Sequence, residues 1–142
     1  MTIDRVVVDS NVLISASLVS GSTPARLLDG LQQSRAIMLF SDPTMDELRS
    51  RILRTKFDRW VDRGLRERFL AELDAVAELV GIAGAPIGCR DRDDDKFLET
   101  ALVGEADLII SGDQDLLIMH PWQQIPILSP SQAIDWLEDR HS

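Results

Sequence analysis

The sequence predicts an α/β fold with a mostly parallel sheet, on three observations. Val6-Val7-Val8 and Leu108-Ile109-Ile110 are short runs apolar at every position, the pattern of strands buried on both faces. Helical periodicities separate these runs from each other and from shorter apolar stretches at 36–40 and 125–128. Both runs end in polar and acidic residues, Asp9-Ser10-Asn11 and Ser111-Gly112-Asp113. Open parallel sheets hold their ligands at this place, beyond the carboxyl ends of the strands. The 142 residues suit one domain spanning 1–142, with no repeat or linker to divide it.

After the first strand, helices are expected at 12–19 and 24–33, broken at Ser20-Gly21-Ser22. Thr23 serves as N-cap of the second, with Pro24 in its first turn. A short strand at 36–40 leads to a helix capped by Asp42 with Pro43 at the first helical position. Its apolar residues Met45, Leu48, Ile52 and Leu53 recur at helical spacing, and Glu47 lies one turn in. The periodicity continues through Phe57, Trp60, Val61, Leu65, Phe69, Leu70, Leu73 and Val76 to Val80, with Gly64 as a break between two helices. The turn-rich connector 81–88, GIAGAPIG, has room for one short strand. Asp91, Asp93, Asp94 and Asp95 then precede a helix whose stripe is Phe97, Leu98, Ala101 and Leu102, ending near Gly104. The strand at 108–110 follows, then a last strand at 125–128. Ser129 and Gln132 form a capping-box start for the closing helix, which carries Ala133, Ile134 and Leu137 inward.

Composition narrows the class of function. At 44% hydrophobic and 27% charged residues the chain is an ordinary globular one. No apolar run approaches the length of a membrane span, and MTIDR lacks the features of an export signal, so a cytoplasmic protein is expected. Cys89 is the one cysteine, which excludes an internal disulfide and suits a reducing compartment. The net charge of −9 runs against phosphate binding, but its distribution does not. From Glu47 to Arg68, eight basic residues stand against four acidic ones, a net +4 that leaves −13 elsewhere. An acidic body with one basic segment suits a carboxylate metal site beside a phosphate-binding edge. A solvated helical face stitched by salt bridges gives the same pattern.

Acidic residues recur at the ends of elements. Asp9 ends the first strand, Asp113 follows the strand at 108–110, Glu47 lies one turn into its helix, and Asp94 or Asp95 projects from the start of another. Carboxylates gathered in one place repel unless protons or cations compensate. Hard divalent ions such as Mg²⁺ or Mn²⁺ take oxygen ligands and act on phosphodiesters. Each residue also has a structural reading: Asp9 as a helix cap, Glu47 as the i,i+4 partner of Arg51, the 91–95 run as a solvated loop, and Asp113 as a turn residue. Other chemistries find less support. No His or Cys cluster offers a zinc site, His120 and His141 are isolated, and Cys89 has no His partner. There is no G-x-S-x-G and no Gly-rich phosphate loop, and a chain without Tyr is poorly equipped to stack sugars. Asn11 stands where an aspartyl-phosphate phosphatase needs its second acid.

Four segments carry a family resemblance: V-V-V-D-S-N-V-L from Val6, P-x-x-x-E-L from Pro43, D-D-D-K-F-L-E-T-A-L from Asp93, and A-D-L-I-I-S-G-D-Q-D-L-L from Ala106. In order and spacing the chain resembles the PIN domain family, most closely the small bacterial toxins of toxin–antitoxin pairs related to VapC. The resemblance implies a three-layer α/β/α domain and a Mg²⁺- or Mn²⁺-dependent ribonuclease. It also implies a homodimer or higher homo-oligomer held inactive by a cognate antitoxin. By position it implies Asp9, Glu47, Asp95 and Asp113 as catalytic acids. The metal set becomes Asp9, Glu47, Asp94, Asp95, Asp113 and Asp115, with Asp94 able to take the place of Asp95 and Asp115 able to share the role of Asp113. Asn11 and Ser111 match polar positions that orient ligands. RNA phosphates are expected along 49–68, at Arg49, Arg51, Arg54 and Lys56. Phe57 and Trp60 either join the core or receive an antitoxin helix. The alternative reading is a non-catalytic PIN-like scaffold that binds a protein or RNA without cutting it.

Overall fold

Valines at successive positions of β1 (Arg5–Val8) decide the layering. In the computed structural model, which describes residues 3–141, Val6 and Val8 join one apolar cluster and Val7 joins the other, on the opposite face. Met1, Thr2 and Ser142, part of the expected 1–142 domain and in part of the MTIDR segment, lie outside those residues. The same alternation holds in β2 (Ile37–Phe40), where Leu39 opposes Met38 and Phe40, and in β4 (Leu108–Ile110), where Ile109 opposes its neighbours. Side chains of α1 (Ser10–Leu18), α2 (Thr23–Gln33), α3 (Asp42–Ile52), α4 (Arg63–Val76) and α7 (Pro130–His141) fill the first cluster. Those of α5 (Asp95–Val103) and α6 (Gln114–Leu117) fill the second. The result is the expected three-layer α/β/α architecture.

Among the described residues five strands form one sheet, in the order β3-β2-β1-β4-β5, with β3 at Glu78–Leu79 and β5 at Ile127–Leu128. Every pairing is parallel, with Val6 beside both Met38 and Leu108 and Val8 beside Ile110. The chain builds outward from β1 through β2 and β3, then crosses back to place β4 and β5 on the other side. The strand order therefore reverses between β1 and β4, and the crevice at their carboxyl ends is the switch point.

Several expectations about element ends are corrected. Ser22, not Thr23, caps α2, accepting from Ala25 N at 3.3 Å. Ser41, not Asp42, caps α3: its amide donates to Thr44 Oγ1 at 2.9 Å, and its buried hydroxyl accepts from Thr100 of α5 at 2.8 Å. Gly64 breaks nothing, because Asp62 caps α4 through the Gly64 amide and the helix runs on to Val76. The preceding segment is a 3-10 turn at Thr55–Phe57. Phe57 packs on the core, whereas Trp60 (64% exposed), Leu65 and Val76 face solvent. The short strand expected within 81–88 lies earlier, at β3, where Val80 N continues the ladder to the Phe40 carbonyl at 2.8 Å. Ser129 and Gln132 do make both bonds of the capping box, at 3.0 and 3.3 Å.

The basic segment also changes character. Arg66 is fully buried, donating to the carbonyls of Ile52 at 2.7 Å, Arg54 at 3.2 Å and Val61 at 3.1 Å and pairing with Asp58. It satisfies the end of α3 instead of facing an RNA backbone. No helix among the described residues is long and apolar enough to cross a membrane.

Candidate metal centre

The strand β1 stops at Asp9 because the chain turns there into α1, and the Asp9 side chain caps the helix by accepting from Asn11 N at 3.3 Å. Its amide still pairs with the Ile110 carbonyl at 2.9 Å, so Asp9 lies beside the end of β4. Ser111, fully buried, donates to Asp9 Oδ2 at 2.7 Å and accepts from the Asp113 amide at 2.9 Å. One hydroxyl thus fixes both acids of the switch point. Burial pushes the Asp9 carboxyl above its ordinary range, the bonds from Ser111 and Asn11 pull it back, and the charges of Glu47 and Asp113 add to the rise.

Glu47 reaches the same cleft from α3. Its Oε2 accepts from Ser10 at 2.7 Å, and its Oε1 pairs with Arg51 at 2.9 Å and Lys96 at 3.0 Å. The expected i,i+4 pair with Arg51 is therefore present, and a second cation joins it. From the far side comes Asp94, the last residue of a 3-10 turn (Arg92–Asp94) that precedes α5. Asp94 is 8% exposed, and its Oδ2 is buried without a hydrogen-bond partner. Burial, then contact with Asp113 and the charges of Asp113, Asp9 and Asp91, raise its pKa to about 7.

Asp95, expected as the third acid, is placed elsewhere. Its carboxylate accepts from Cys89 N at 2.8 Å and Ile87 N at 3.1 Å. Gly88 between them has φ 109°, a conformation open to glycine that turns both flanking amides to one carboxylate. One turn further along α5, Glu99 accepts from Ala83, Gly84 and Ala85. Asp95 and Glu99 strap the connector onto α5, and Asp94 is the acid that enters the cleft. Asp115 lies beside it, with carboxylate oxygens of Asp91, Asp94 and Asp115 all within 4.8 Å of one another. Arg90 pairs with Asp115 from outside.

Of the expected RNA-binding residues, Arg51 turns to Glu47 and Arg49 to Asp46. Arg54 and Lys56 line a groove of about 310 Å³ with Asn11, Ser15 and Phe57. The Asn11 side chain is exposed there, and its backbone amide is the group that meets Asp9. His120 and His141 have structural partners, the Ile127 amide at 2.9 Å and Asp4 at 3.0 Å.

Sequence reasoning missed Ser10, Lys96, Asp91 and Arg90. Ser10 had a signal, since it directly follows the strand-ending acid. The other three depend on how the 83–89 loop and the start of α5 are strapped together, and no periodicity reports that.

An all-oxygen donor set, a carboxylate oxygen buried without a donor, and a carboxyl forced toward neutrality fit a hard divalent cation, which would supply the missing positive charge. Comparison with known proteins agrees. A profile of the PIN domain matches residues 5–115. Over 119 residues the chain is 31% identical to an uncharacterized protein of Methanocaldococcus jannaschii, covering 82% of this chain and 75% of that one. PIN domains are generally metal-dependent nucleases, so hydrolysis of nucleic acid is the class of activity in view. On these grounds the chain belongs to the PIN domain family.

Proposed function

We propose that the chain is a Mg²⁺- or Mn²⁺-dependent endoribonuclease, the toxin of a cytoplasmic toxin–antitoxin pair, with residues 1–142 acting as one domain. The observation that carries this reading is the buried Asp94 carboxyl at the switch point, raised to about 7 by its burial, by contact with Asp113 and by the charges of Asp113, Asp9 and Asp91. Asp9, Asp94 and Asp113 would hold the ion, with Asp94 in the position expected of Asp95, whose carboxylate is engaged by the Ile87 and Cys89 amides. When bound, the ion supplies Lewis-acid charge at the phosphodiester and acidifies water. Ser111 holds the Asp9 carboxylate and the Asp113 backbone amide on one hydroxyl, and the Asp113 carboxylate accepts from the Asp115 amide at 2.9 Å. Ser10, Arg51 and Lys96 fix Glu47 against the same cleft. Arg54 and Lys56 present positive charge along the adjoining groove, where RNA phosphates would lie.

Asp9→Asn tests the assignment: Mn²⁺-dependent cleavage of an RNA oligonucleotide should vanish while the thermal unfolding transition persists. Unchanged cleavage would remove Asp9 from the site. A cognate antitoxin and a homodimer or higher homo-oligomer belong to the same proposal. Growth arrest on expression and the mass of the purified chain in solution check them. A non-catalytic scaffold is favoured by one observation, that Arg51 and Lys96 already answer the charge of Glu47. Calorimetry separates the readings, because a scaffold should show no saturable Mn²⁺ binding abolished by Asp113→Asn.

A further inference from the structure

The groove beside the acid cleft differs from it in kind. No acid lines it, in a chain of net charge −9, and its volume of about 310 Å³ is at the small end of the range for ligand pockets. One wall is a single stripe of α1: Asn11, Ile14, Ser15 and Leu18 recur at helical spacing. Ile14 is buried and Leu18 partly so, while Asn11 and Ser15 are exposed. Among the described residues, neither the Asn11 side-chain amide nor the Ser15 hydroxyl is hydrogen-bonded. Facing them is Phe57, from the Thr55–Phe57 turn, with the Lys56 ammonium 5.1 Å from its ring centroid. Arg54 and Lys56 are exposed, and among the described residues neither pairs with a carboxylate. A phosphate alone has no use for an apolar floor. A nucleotide calls on all three kinds of surface: an apolar or aromatic face under its base, donors and acceptors at the base edge, and cations at its phosphate. The groove also adjoins the cleft. The Asn11 amide meets the Asp9 carboxylate at 3.3 Å, and Arg51, which lines the groove, pairs with Glu47.

We propose that this groove is a base-recognition subsite, in which one unpaired nucleobase lies on Phe57, Ile14 and Leu18 with its edge toward Ser15 and Asn11 and its phosphate on Arg54 and Lys56. The subsite deepens the ribonuclease reading and rests on it for the placing of the cut beside that base. It gives the chain a preference among bases, which contacts to phosphate do not carry. A base stacked and paired inside a duplex has no free face to offer Phe57.

Fluorescence anisotropy of the full chain in EDTA tests the subsite with neither metal nor cleavage. The probes are short labelled single strands of A, C and U, and an abasic strand of equal length. At least one base-bearing strand should bind about fivefold or more tightly than the abasic one, the least that stacking of a base on an aromatic ring gives. Phe57→Leu should remove that margin. Ser15→Ala, at an exposed position, should narrow the differences among bases and leave abasic binding unaltered. Phe57 also packs on the core, so if Phe57→Leu fails to fold the Ser15→Ala comparison decides. Equal affinity for abasic and base-bearing strands would overturn the proposal. So would a duplex RNA bound as tightly as the single strands, or base preferences that Ser15→Ala leaves unaltered. An alternating Glu-Leu peptide that binds more tightly than every RNA would make the groove a protein-docking surface instead. Base-dependent binding without Mn²⁺-dependent cleavage would leave the subsite standing and overturn the nuclease reading, whereas cleavage without base dependence would overturn the subsite alone.

Discussion

Ser111 Oγ donates to Asp9 Oδ2 at 2.7 Å across 102 residues of sequence, and its own acceptor position is filled by the Asp113 amide. Removing this hydroxyl leaves Asp9 buried with one donor fewer and frees the start of α6 from β1. Ser111→Ala should weaken Mn²⁺ binding about 10- to 100-fold, as the loss of a ligand-orienting partner does. It should also lower stability by about 1–2 kcal/mol. Calorimetry and urea unfolding measure both. An unaltered Mn²⁺ affinity would show that Asp9 needs no positioning.

The Asp94 carboxyl predicts how stability varies with pH. Held at about 7 when folded against an ordinary 3.8, it binds its proton more tightly in the native state than in the unfolded one. The metal-free protein should therefore lose stability as pH rises from about 4 to about 7. Asp94→Asn should flatten that slope and raise the melting temperature at pH 8 by a few degrees. Added Mn²⁺ should stabilise the parent chain at pH 8 and do much less for the variant. Calorimetric scans at several pH values read all three.

Consecutive acids with opposite duties should separate cleanly. Asp95→Ala strands the amides of Ile87 and Cys89 and should cost about 1–3 kcal/mol, while Mn²⁺ affinity falls far less than in Asp94→Asn. Hydrogen exchange should become faster at residues 87 and 89 in particular. Equal loss of Mn²⁺ binding in both variants would place Asp95 among the ligands after all.

The basic segment divides in the same manner. Charge reversal at Arg54 and Lys56, which line the groove beside Asn11, should weaken RNA binding and lower its salt dependence by about two phosphate contacts. Arg66→Met should leave RNA affinity alone but cost about 3 kcal/mol, because three carbonyls lose their donor. Filter binding across a salt series and urea unfolding check the pair.

How much of this was legible depended on what the residues answer to. Val6-Val7-Val8 could only be a strand covered on both faces, so the layering and the position of Asp9 at its end were readable. Ser41 and Asp42 are both good caps, and the choice fell to Thr100, a partner 59 residues away. Asp94 and Asp95 are a harder case, since adjacent residues at a helix start point about 100° apart. Which one faces the cleft depends on where the 3-10 turn gives way to α5. That boundary is held by amides from an aperiodic loop, whose destination no pattern encodes. Leu65 and Val76 lie eleven residues apart on one face of α4 yet remain exposed, as does Trp60 in the turn before it, because periodicity marks a face without saying whether anything covers it. Arg66 belongs by sequence to the basic segment, and only the open carbonyls at the end of α3 explain its burial.

The threefold grip on Glu47 sorts the cleft into unlike halves. Arg51 and Lys96 make its side self-sufficient, so an incoming anion meets no repulsion there. Across the gap, the aspartates outnumber their companions and stay in deficit until positive charge is imported. A polyanion approaching from the Arg54 and Lys56 groove would thus find its landing ground prepared by the chain itself, whereas the neighbouring aspartates await a loan from solution.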